Sequence, residues 1–474
     1  MLFNSAEFLF FLPIVFILYW FVFNKSLKGQ NILILVSSYV FYGWWDWRFL
    51  SLIAFSTLVD FIVGIQIHHS ASSRRRRTYL WISLLVNLGM LGFFKYFNFF
   101  VESWIEMLHR FGIESTNTWT LYIVLPVGIS FYTFQTMSYS LDVYRGQIEP
   151  TKDFISFASF VSFFPQLVAG PIERASNLLP QILQHRKFDY QKGTQGVRLI
   201  IWGMFKKVFI ADSLAPEVNQ IFANYQDLNG GVLMLGAIYF GFQIYCDFSG
   251  YSDIAIGTAK LFGFDLMSNF KFPYFSRNIG EFWRRWHISL STWFRDYLYI
   301  PLGGSKTSSI NSLRNIFIIF VVSGFWHGAN WTFIVWGLIH AIMYIPLFIR
   351  GTNRRFLSNV AGQNSLFPSI QELTQIIITF SLVTLAWIFF RSPSITMAFD
   401  YIKLMFLNID FPDQFRKATF YLLIIVLLDW FLRKDETLNF KWKPAFSIFI
   451  NVLFIILIFL KFNKTPTSFI YFQF

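Results

Sequence analysis

The sequence predicts an all-α, polytopic membrane protein with about twelve spans and further helices that are re-entrant or lie at the interface. Of its 474 residues, 55% are hydrophobic and only 14% are charged, whereas a soluble protein keeps about a quarter of its residues charged. The chain also has 63 Phe, 21 Tyr and 17 Trp, and aromatic residues concentrate at membrane interfaces. So much apolar surface cannot all face an internal core, so we expect membrane lipid to cover the rest of one integral-membrane domain, 1–474.

The first apolar run, Phe8 to Phe23, is predicted to be a span and not a cleaved signal peptide. Glu7 precedes it in place of a basic region, and no small-residue cleavage site follows it. A span needs roughly 20 mainly apolar residues. On that basis we predict spans at 3–23, 31–50, 52–68, 79–101, 119–141, 197–214, 230–250, 310–324, 331–349, 374–391, 419–432 and 446–462.

The net charge of +13 is expected to lie mainly in cytoplasmic loops, where Lys and Arg accumulate, and no nucleic-acid partner is expected. Basic clusters such as Arg74 to Arg77 alternate with neutral or acidic loops. The alternation predicts that both termini are extracytoplasmic. Two segments rich in aromatic and basic residues, 142–196 and 265–309, are broken by Pro and Gly and are predicted to be re-entrant or interfacial on the cytoplasmic side.

His327 is the first candidate for chemistry, in the segment Ser323-Gly-Phe-Trp-His-Gly-Ala-Asn-Trp331. A titratable group at membrane depth is costly and indicates function by default. Gly324, Gly328 and Ala329 are small, so a backbone or a substrate could approach the ring closely. The alternative is a histidine that is hydrogen-bonded to a neighbouring helix only for packing.

His287 is the second candidate, in an amphipathic stretch rich in Arg and Trp. The alternative is an interfacial helix anchored by those side chains, although Arg284 and Arg285 could also clamp a phosphate. His340 is expected to be structural. The remaining histidines are expected to be solvated, namely His68, His69, His109 and His185. The lone cysteine, Cys246, excludes an intramolecular disulfide and a cysteine-based metal site; it is expected to be a small buried hydrophobe, and no metal site is predicted.

Four stretches occur in order over most of the chain: Pro165 to Ile172, Phe282 to Ser291, Asp296 to Gly304, and Phe325 to Ala329 with Trp336-Gly337. Together they resemble the membrane-bound O-acyltransferase family, and within it the bacterial branch of the alginate O-acetyltransferase membrane subunit and the teichoic acid D-alanyl transferase. The resemblance implies that His327 is the catalytic histidine and His287 a second functional histidine. It also implies a bacterial inner-membrane protein with helices around a central pore.

The C-terminal segment Ser468 to Phe474 is apolar and aromatic, although terminal tails are usually polar and frayed. One interpretation is an aromatic anchor at the interface. The other is that the tail folds back into the outer mouth of the pore. The segment is similar to an aromatic motif of the bacterial branch, or of its small companion protein, in which a tyrosine is a proposed acyl carrier. On that resemblance, Tyr471 is a predicted acyl relay.

The resemblance further implies an acyltransferase that uses a cytosolic thioester donor, most simply acetyl-CoA, with no tightly bound cofactor. Cations on the cytoplasmic side would bind the donor's phosphates, and the candidates are Lys271, Arg277, Arg284 and Arg285. The expected acceptor is a cell-envelope polysaccharide or peptidoglycan, reached through a separate extracytoplasmic acetyltransferase of the SGNH type.

Three other functions stay open from the sequence. A transporter or flippase would also need broken helices and polar groups near the midplane, and a non-catalytic scaffold of a polymer-secretion complex would need neither histidine. A lipid-linked sugar transferase would need acidic clusters, for which Asp247 and Asp253 are the one grouping near a candidate site.

Overall fold

The computed structural model describes residues 1–113, 120–168, 170–435, 444–462 and 467–472. Over these ranges every regular element is a helix, and no strand is present. Six helical runs among them are long and apolar enough to cross a membrane, namely Leu27–His69, Ser73–Arg110, Gly230–Leu261, Ser309–His327, Trp331–Ile349 and Ile370–Arg391. Shorter apolar helices are Ala6–Val22, Phe154–Leu167 and Ala445–Lys461. The predicted all-α, multi-pass class is therefore confirmed.

The chain divides into two compact units, and the first is formed mainly by residues 7–189 with 262–266. Its α-helices are α1 (Ala6–Ile17), α2 (Leu27–Asp46), α3 (Leu50–His69), α4 (Ser73–Leu91), α5 (Phe97–Arg110), α6 (Ile129–Tyr144), α7 (Phe154–Ser162), α8 (Phe164–Leu167) and α9 (Ala175–Ile182). Leu18–Val22 and Gly92–Tyr96 are π-helical, and the 3-10 turn Trp47–Phe49 joins α2 to α3.

A buried carboxyl group fastens three helices of this unit. Asp60 of α3 is 0% exposed. It accepts hydrogen bonds from Ser83 Oγ of α4 at 2.5 Å, from Asn87 Nδ2 of α4 at 2.7 Å and from Ser140 Oγ of α6 at 2.7 Å. Polar side chains buried between apolar helices bind them together in this way, and sequence reasoning missed this network.

The span predicted at 119–141 is wrong at its N-terminal end, because the helix begins only at Ile129. Pro126 lacks an N–H group to donate, and Gly128 lies in the left-handed region at φ 76°, so the two residues end the preceding segment as a turn. A Cβ at Gly128 would also meet the Leu167 carbonyl oxygen at 2.7 Å. The glycine is thus required both by its backbone angle and by a close backbone approach.

The second unit comprises residues 2–6, 190–261 and 267–474 and contains every candidate site residue. Its α-helices are α10 (Tyr190–Met204), α11 (Asp212–Ala223), α12 (Gly230–Leu261), α13 (Ile279–Arg285), α14 (Ile288–Phe294), α15 (Ser309–His327), α16 (Trp331–Ile349), α17 (Ile370–Arg391), α18 (Ile395–Leu407), α19 (Thr419–Leu432) and α20 (Pro444–Lys461). Phe205–Ala211 and Arg295–Tyr299 are π-helical; 3-10 turns lie at Tyr225–Asp227, Pro273–Phe275, Arg416–Ala418 and Ile470–Phe472.

Helix α12, 32 residues long, packs along α10 through two pairs of glycines. A Cβ at Gly203 would meet the Gly250 carbonyl oxygen at 2.5 Å, and one at Gly196 would meet the Gly257 carbonyl oxygen at 2.6 Å. Small residues allow helix backbones to approach this closely. Directly after α10, the π-helical segment 205–211 places both Lys206 and Lys207 in the interior, 3% and 2% exposed; π segments inside helices are frequent at functional sites.

A second glycine contact brings α15 against α16 and so fixes the position of His327. A Cβ at Gly324 would meet the Phe333 carbonyl oxygen at 2.2 Å, and one at Gly337 would meet the Phe320 carbonyl oxygen at the same distance. Gly328 is covered by the Phe333 ring, 2.1 Å from where a Cβ would be. Protein groups therefore approach Gly324 and Gly328 closely, whereas close approach of a backbone or a substrate to the His327 ring stays a prediction.

Gly324→Ala is expected to destabilise the protein, because the new methyl group would push against a carbonyl of α16. Overpacking of this kind costs about 1–3 kcal/mol. Thermal unfolding in detergent, followed by size-exclusion chromatography, measures the effect. Gly89→Ala is the matched control: its Cβ would have no neighbour within 4 Å, so its melting temperature should stay unchanged or rise. Equal melting temperatures for both variants would contradict the packing argument.

Candidate functional site

The structure brings His327, His287 and Tyr471 into one buried cluster. The centroid of the His327 ring lies 5.6 Å from that of Tyr471 and 6.4 Å from that of His287. The three residues come from the C-terminal end of α15, from the junction of α13 and α14, and from the 3-10 turn Ile470–Phe472. Residues separated by as many as 184 positions in the sequence therefore meet at one point.

Aromatic side chains enclose His327, which is 3% exposed. Trp326, Trp336 and Phe390 lie edge-on to its ring, with centroids at 5.1, 5.1 and 5.4 Å. Tyr471 closes the group: its ring packs on Phe248 of α12 at 4.5 Å. The imidazole is thus surrounded by ring edges and faces, which excludes bulk water from it.

His287 has a strained backbone, with φ 43° and ψ 56° in the left-handed region. Such a conformation costs about 1–3 kcal/mol for a residue other than glycine and is found mostly at functional sites. With this conformation, only two residues separate the end of α13 from the start of α14, and the His287 side chain turns inward at 0% exposure. The sharp junction is therefore the device that places this histidine beside His327.

Asn269 orients His287, and sequence reasoning missed it. Its Oδ1 lies 3.1 Å from His287 Nδ1 and also accepts hydrogen bonds from the backbone N–H and the hydroxyl of Ser289, at 3.3 and 2.9 Å. Its Nδ2 donates to Ser252 Oγ of α12 at 3.1 Å. A signal was present in the sequence: an amide side chain within an aromatic segment must bury its polar atoms with partners.

The contact with Asn269 also fixes the His287 tautomer. A carbonyl oxygen can only accept, so Nδ1 of His287 carries the proton and Nε2 presents its lone pair. Nε2 has no hydrogen-bond partner among the residues that the structure describes. Burial lowers the pKa of His287 to about 3, so the ring is neutral at physiological pH and Nε2 acts as an acceptor.

The four predicted phosphate-binding cations differ in their surroundings. Arg277 and Arg285 both pair with Glu281, with shortest N–O distances of 3.0 and 3.1 Å, and both donate to the Asn359 carbonyl. Lys271 is half-buried, and its backbone pairs with that of Arg285. Arg284 lines a cavity, although its guanidinium also donates to two carbonyls, of Asn353 and Phe356, at 2.9 Å.

That cavity has a volume of about 770 Å³ and lies between α13, α14, α15 and α16. Arg284, Arg295 and Arg354 contribute charge, and Trp283, Phe320 and Tyr344 contribute aromatic surface. Its wall reaches Ser323, one helical turn before His327 on α15, which is about 6 Å along the axis. Trp283 and Trp336, 5.8 Å apart, separate the cavity from the histidine.

The remaining histidines and the cysteine lie where the sequence predicts. His340 is 0% exposed, accepts a hydrogen bond from Trp283 Nε1 at 3.3 Å and stacks among rings. His68, His69, His109 and His185 are exposed, and Cys246 is buried. Asp247 and Asp253 do not form a joint acidic site, because each pairs with its own lysine, Lys207 or Lys206, at 2.7 Å.

Comparison with known proteins identifies the family. The profile of the membrane-bound O-acyltransferase family matches residues 140–386, just over half of the chain. This range contains His287 and His327. The chain belongs to the membrane-bound O-acyltransferase family. It is therefore an O-acyltransferase, and the resemblance seen in its motifs is confirmed.

Curated relatives of this O-acyltransferase come from several bacteria. The chain is 42% identical over 409 residues to the probable alginate O-acetylase AlgI of Pseudomonas aeruginosa, covering 86% of this chain and 75% of the relative. It is 34% identical over 432 residues to the peptidoglycan O-acetyltransferase of Helicobacter pylori, covering 85% and 79%. It is 29% identical over 269 residues to the teichoic acid D-alanyltransferase of Streptococcus thermophilus, covering 51% and 63%. These relatives, with the helices described above, indicate a multi-pass bacterial membrane protein.

Asn269→Leu is expected to lower the rate of acyl transfer about ten-fold or more, because His287 loses the acceptor that fixes its tautomer. The loss is smaller than the 10²–10⁴-fold that a positioned acid or base supplies in full. Ser289→Ala is the matched control. The Ser289 hydroxyl donates to the same oxygen of Asn269, so its loss removes one hydrogen bond of Asn269 but leaves the bond between Asn269 and His287 in place. Acetylation rates at equal protein level measure both. Unchanged activity in Asn269→Leu would show that the orientation of His287 is unimportant.

Proposed function

We propose that this O-acyltransferase takes an acetyl group from a cytosolic thioester, acetyl-CoA, and moves it across the membrane for O-acetylation of a cell-envelope polysaccharide or peptidoglycan. The observation that carries the proposal is the buried cluster in which the His327 ring lies close to those of both Tyr471 and His287. Acyl transfer to an oxygen needs a hydroxyl nucleophile beside a base. Tyr471 and His327 supply that pair.

The cavity beside Arg284 is the proposed donor site. Its volume of about 770 Å³ lies within the range of about 300–1,000 Å³ for ligand pockets. Arg284, Arg295 and Arg354 would bind the phosphates of the donor, because guanidinium groups pair with phosphate oxygens through charge-assisted hydrogen bonds. The thioester end would then reach past Trp283 toward His327. Arg277, Arg285 and Lys271 would stabilise the fold of residues 271–285 beside the cavity, through the Glu281 ion pairs and the backbone hydrogen bond between Lys271 and Arg285.

His327 would act as general base in the first step. It removes the proton of the Tyr471 hydroxyl while that oxygen attacks the thioester carbonyl; the new C–O bond forms, the C–S bond breaks, and the thiolate leaves and takes up the proton. An unperturbed tyrosine has a pKa of about 10, so base assistance is needed near neutral pH. His287, whose Nε2 accepts a hydrogen bond, would orient the reactants or pass the proton.

The second step would deliver the acetyl group outside the cell. A phenolate is a better leaving group than a sugar alkoxide, so an acetyl ester on Tyr471 can pass its acyl group on to an alcohol. The relatives named for alginate and peptidoglycan O-acetylation support a polymer of the cell envelope as final acceptor. A separate extracytoplasmic acetyltransferase of the SGNH type would complete the transfer.

The proposed topology has about twelve spans around a central pore in the inner membrane, with both termini extracytoplasmic. The tail that carries Tyr471 would then enter the cluster from the outside. The donor cavity, bordered by Arg295 and Arg354, would open to the cytoplasm. The alternation of basic and neutral loops along the sequence supports this orientation.

Tyr471→Phe is expected to abolish capture of the acetyl group, because the ring and its packing on Phe248 remain while the nucleophile is lost. His327→Gln should slow capture about 10²–10⁴-fold. Purified full-length protein is incubated with radiolabelled acetyl-CoA, denatured and digested, and the C-terminal peptide is analysed for label. Label that persists in Tyr471→Phe at the level of the unaltered protein would rule out Tyr471 as carrier.

Arg284→Met is expected to raise the KM for acetyl-CoA about ten-fold with little change in kcat, since one charge-assisted hydrogen bond is worth about 1.5–3 kcal/mol. Initial rates of thiol release over a range of donor concentrations provide both constants. Arg416→Met, at an exposed cation outside the cavity, serves as control. An unchanged KM in Arg284→Met would place the donor elsewhere.

A further inference from the structure

Buried polar groups of the second unit hold the tail segment 467–472: Asn4 Nδ2 donates to the Thr467 carbonyl oxygen at 3.3 Å, and a buried ion pair makes further contacts. Asp247 Oδ2 accepts a hydrogen bond from the Ile470 backbone N–H at 2.6 Å. Lys207 Nζ lies 3.3 Å from Thr467 Oγ1 and 3.5 Å from the Ser468 carbonyl oxygen. Asp247 and Lys207 also pair with each other at 2.7 Å. The ion pair therefore contacts three tail residues that precede Tyr471: Thr467, Ser468 and Ile470.

Lys207 lies deep in the second unit, with its side chain 2% exposed. It also pairs with Asp212 Oδ1 at 2.8 Å, and its ammonium lies 5.6 Å from the centroid of the Tyr251 ring. A buried ammonium group is stable only when charged and polar partners surround it. The two carboxylates keep Lys207 charged in the interior, and its remaining donor capacity goes to the tail.

Aromatic packing completes the attachment. Phe469 is 0% exposed, with its ring 4.6 Å from that of Tyr251 and 5.4 Å from that of Phe248. Asp247 and Phe248 are consecutive residues of α12: the first holds the Ile470 N–H and the second packs on the Tyr471 ring. Two adjacent residues of the helix thus receive two adjacent residues of the tail.

This arrangement sets the register of the tail. A slip by one residue would move Tyr471 by about 3.5 Å and would replace the Ile470 N–H at Asp247 by that of a neighbour. Apolar packing alone is a weak restraint, because Phe469, Ile470 and Tyr471 are all large and apolar. A directional bond to a fixed carboxylate distinguishes one register from the next.

We infer that the Lys207–Asp247 pair is a positioning element, which holds the tail in the one register that presents the Tyr471 hydroxyl to His327. The inference rests on the proposed function, because it assigns a purpose to the placement of Tyr471. Lys207 and Asp247 act through the tail and do not contact the donor. Their loss should therefore lower the rate of Tyr471 acetylation and leave the KM for the donor unchanged.

The test compares Lys207→Met with Lys206→Met in the full-length protein. Lys206 is equally buried and pairs with Asp253 at 2.7 Å and with Ser249 Oγ at 2.9 Å, but neither of these partners belongs to the tail. Lys207→Met should slow acetylation of Tyr471 by radiolabelled acetyl-CoA about 100-fold, the loss that a misplacement of about 1 Å can cause. Lys206→Met removes a buried ion pair of the same kind and should acetylate Tyr471 at the rate of the unaltered protein.

A nitroxide label provides a readout that is independent of activity. Ser468→Cys, in a Cys246→Ser background, places the label on an exposed tail residue, and its electron paramagnetic resonance spectrum reports the mobility of the tail. The label should become mobile when Lys207→Met is added and stay restrained with Lys206→Met. Ile470→Pro removes the N–H that Asp247 binds, at the first residue of the 3-10 turn, where proline is tolerated. It tests the other half of the attachment if Lys207→Met does not fold, and it should free the label and slow acetylation.

The outcomes separate this inference from the proposed function. Acetylation of Tyr471 at an unchanged rate in Lys207→Met or in Ile470→Pro would overturn the positioning role alone. A label that stays restrained in both variants would do the same. Failure to find any acetyl group on Tyr471 in the unaltered protein would overturn the relay, and this inference with it.

Discussion

The close contact between α10 and α12 is the constraint on which the second unit depends. Because Gly196 and Gly203 face Gly257 and Gly250, the two backbones touch, and the π-helical segment that follows α10 turns Lys207 toward the middle of α12. Asp247 on α12 neutralises that charge, and the next residue, Phe248, packs against both His287 and Tyr471. The packing of α10 on α12 therefore determines both where the Lys207 charge is buried and where His287 and Tyr471 lie.

The sequence predicts the bounds of a helix well where the length of an apolar stretch determines them. Trp331–Ile349 and Thr419–Leu432 begin and end at the predicted residues, since polar or charged residues flank them. The prediction failed at 119–141, where apolar residues are frequent but Pro126 and the left-handed backbone of Gly128 delay the start of the helix to Ile129. It also missed α18, Ile395–Leu407, because 13 residues are fewer than a span requires. Local backbone geometry and tertiary packing, which hydropathy does not represent, decided these cases.

The sequence identified candidate residues of the site, but it did not indicate the hydrogen bonds and ion pairs that hold them in place. His327 stands out because a histidine in an apolar segment is unusual. His287 lies in an amphipathic stretch rich in Arg and Trp, and motif resemblance gave it and Tyr471 their predicted roles. The roles of Asn269 and Lys207 depend on residues 18 and 40 positions or more away, and no local pattern indicates such contacts. Arg277 and Arg285 each lie four residues from Glu281, with which they pair, so these pairs could have been expected from the sequence. The cavity that Arg284 faces could not, because four helices form it.

Water is the competitor in any acyl transfer, and the cluster is built to exclude it. His327 is 3% exposed, and aromatic rings surround it. In the proposed reaction the tail both supplies the nucleophile and fills the outer side of the cluster, so a thioester reaching His327 would meet the Tyr471 hydroxyl before any solvent. Onward transfer then requires the acetylated tail to leave. The restraints on the tail are the hydrogen bond from the Ile470 N–H to Asp247, the contacts of Lys207 and Asn4 with its first residues, and the packing of the Phe469 and Tyr471 rings. These contacts are noncovalent, so they can fix the register of the docked tail and still break when it leaves.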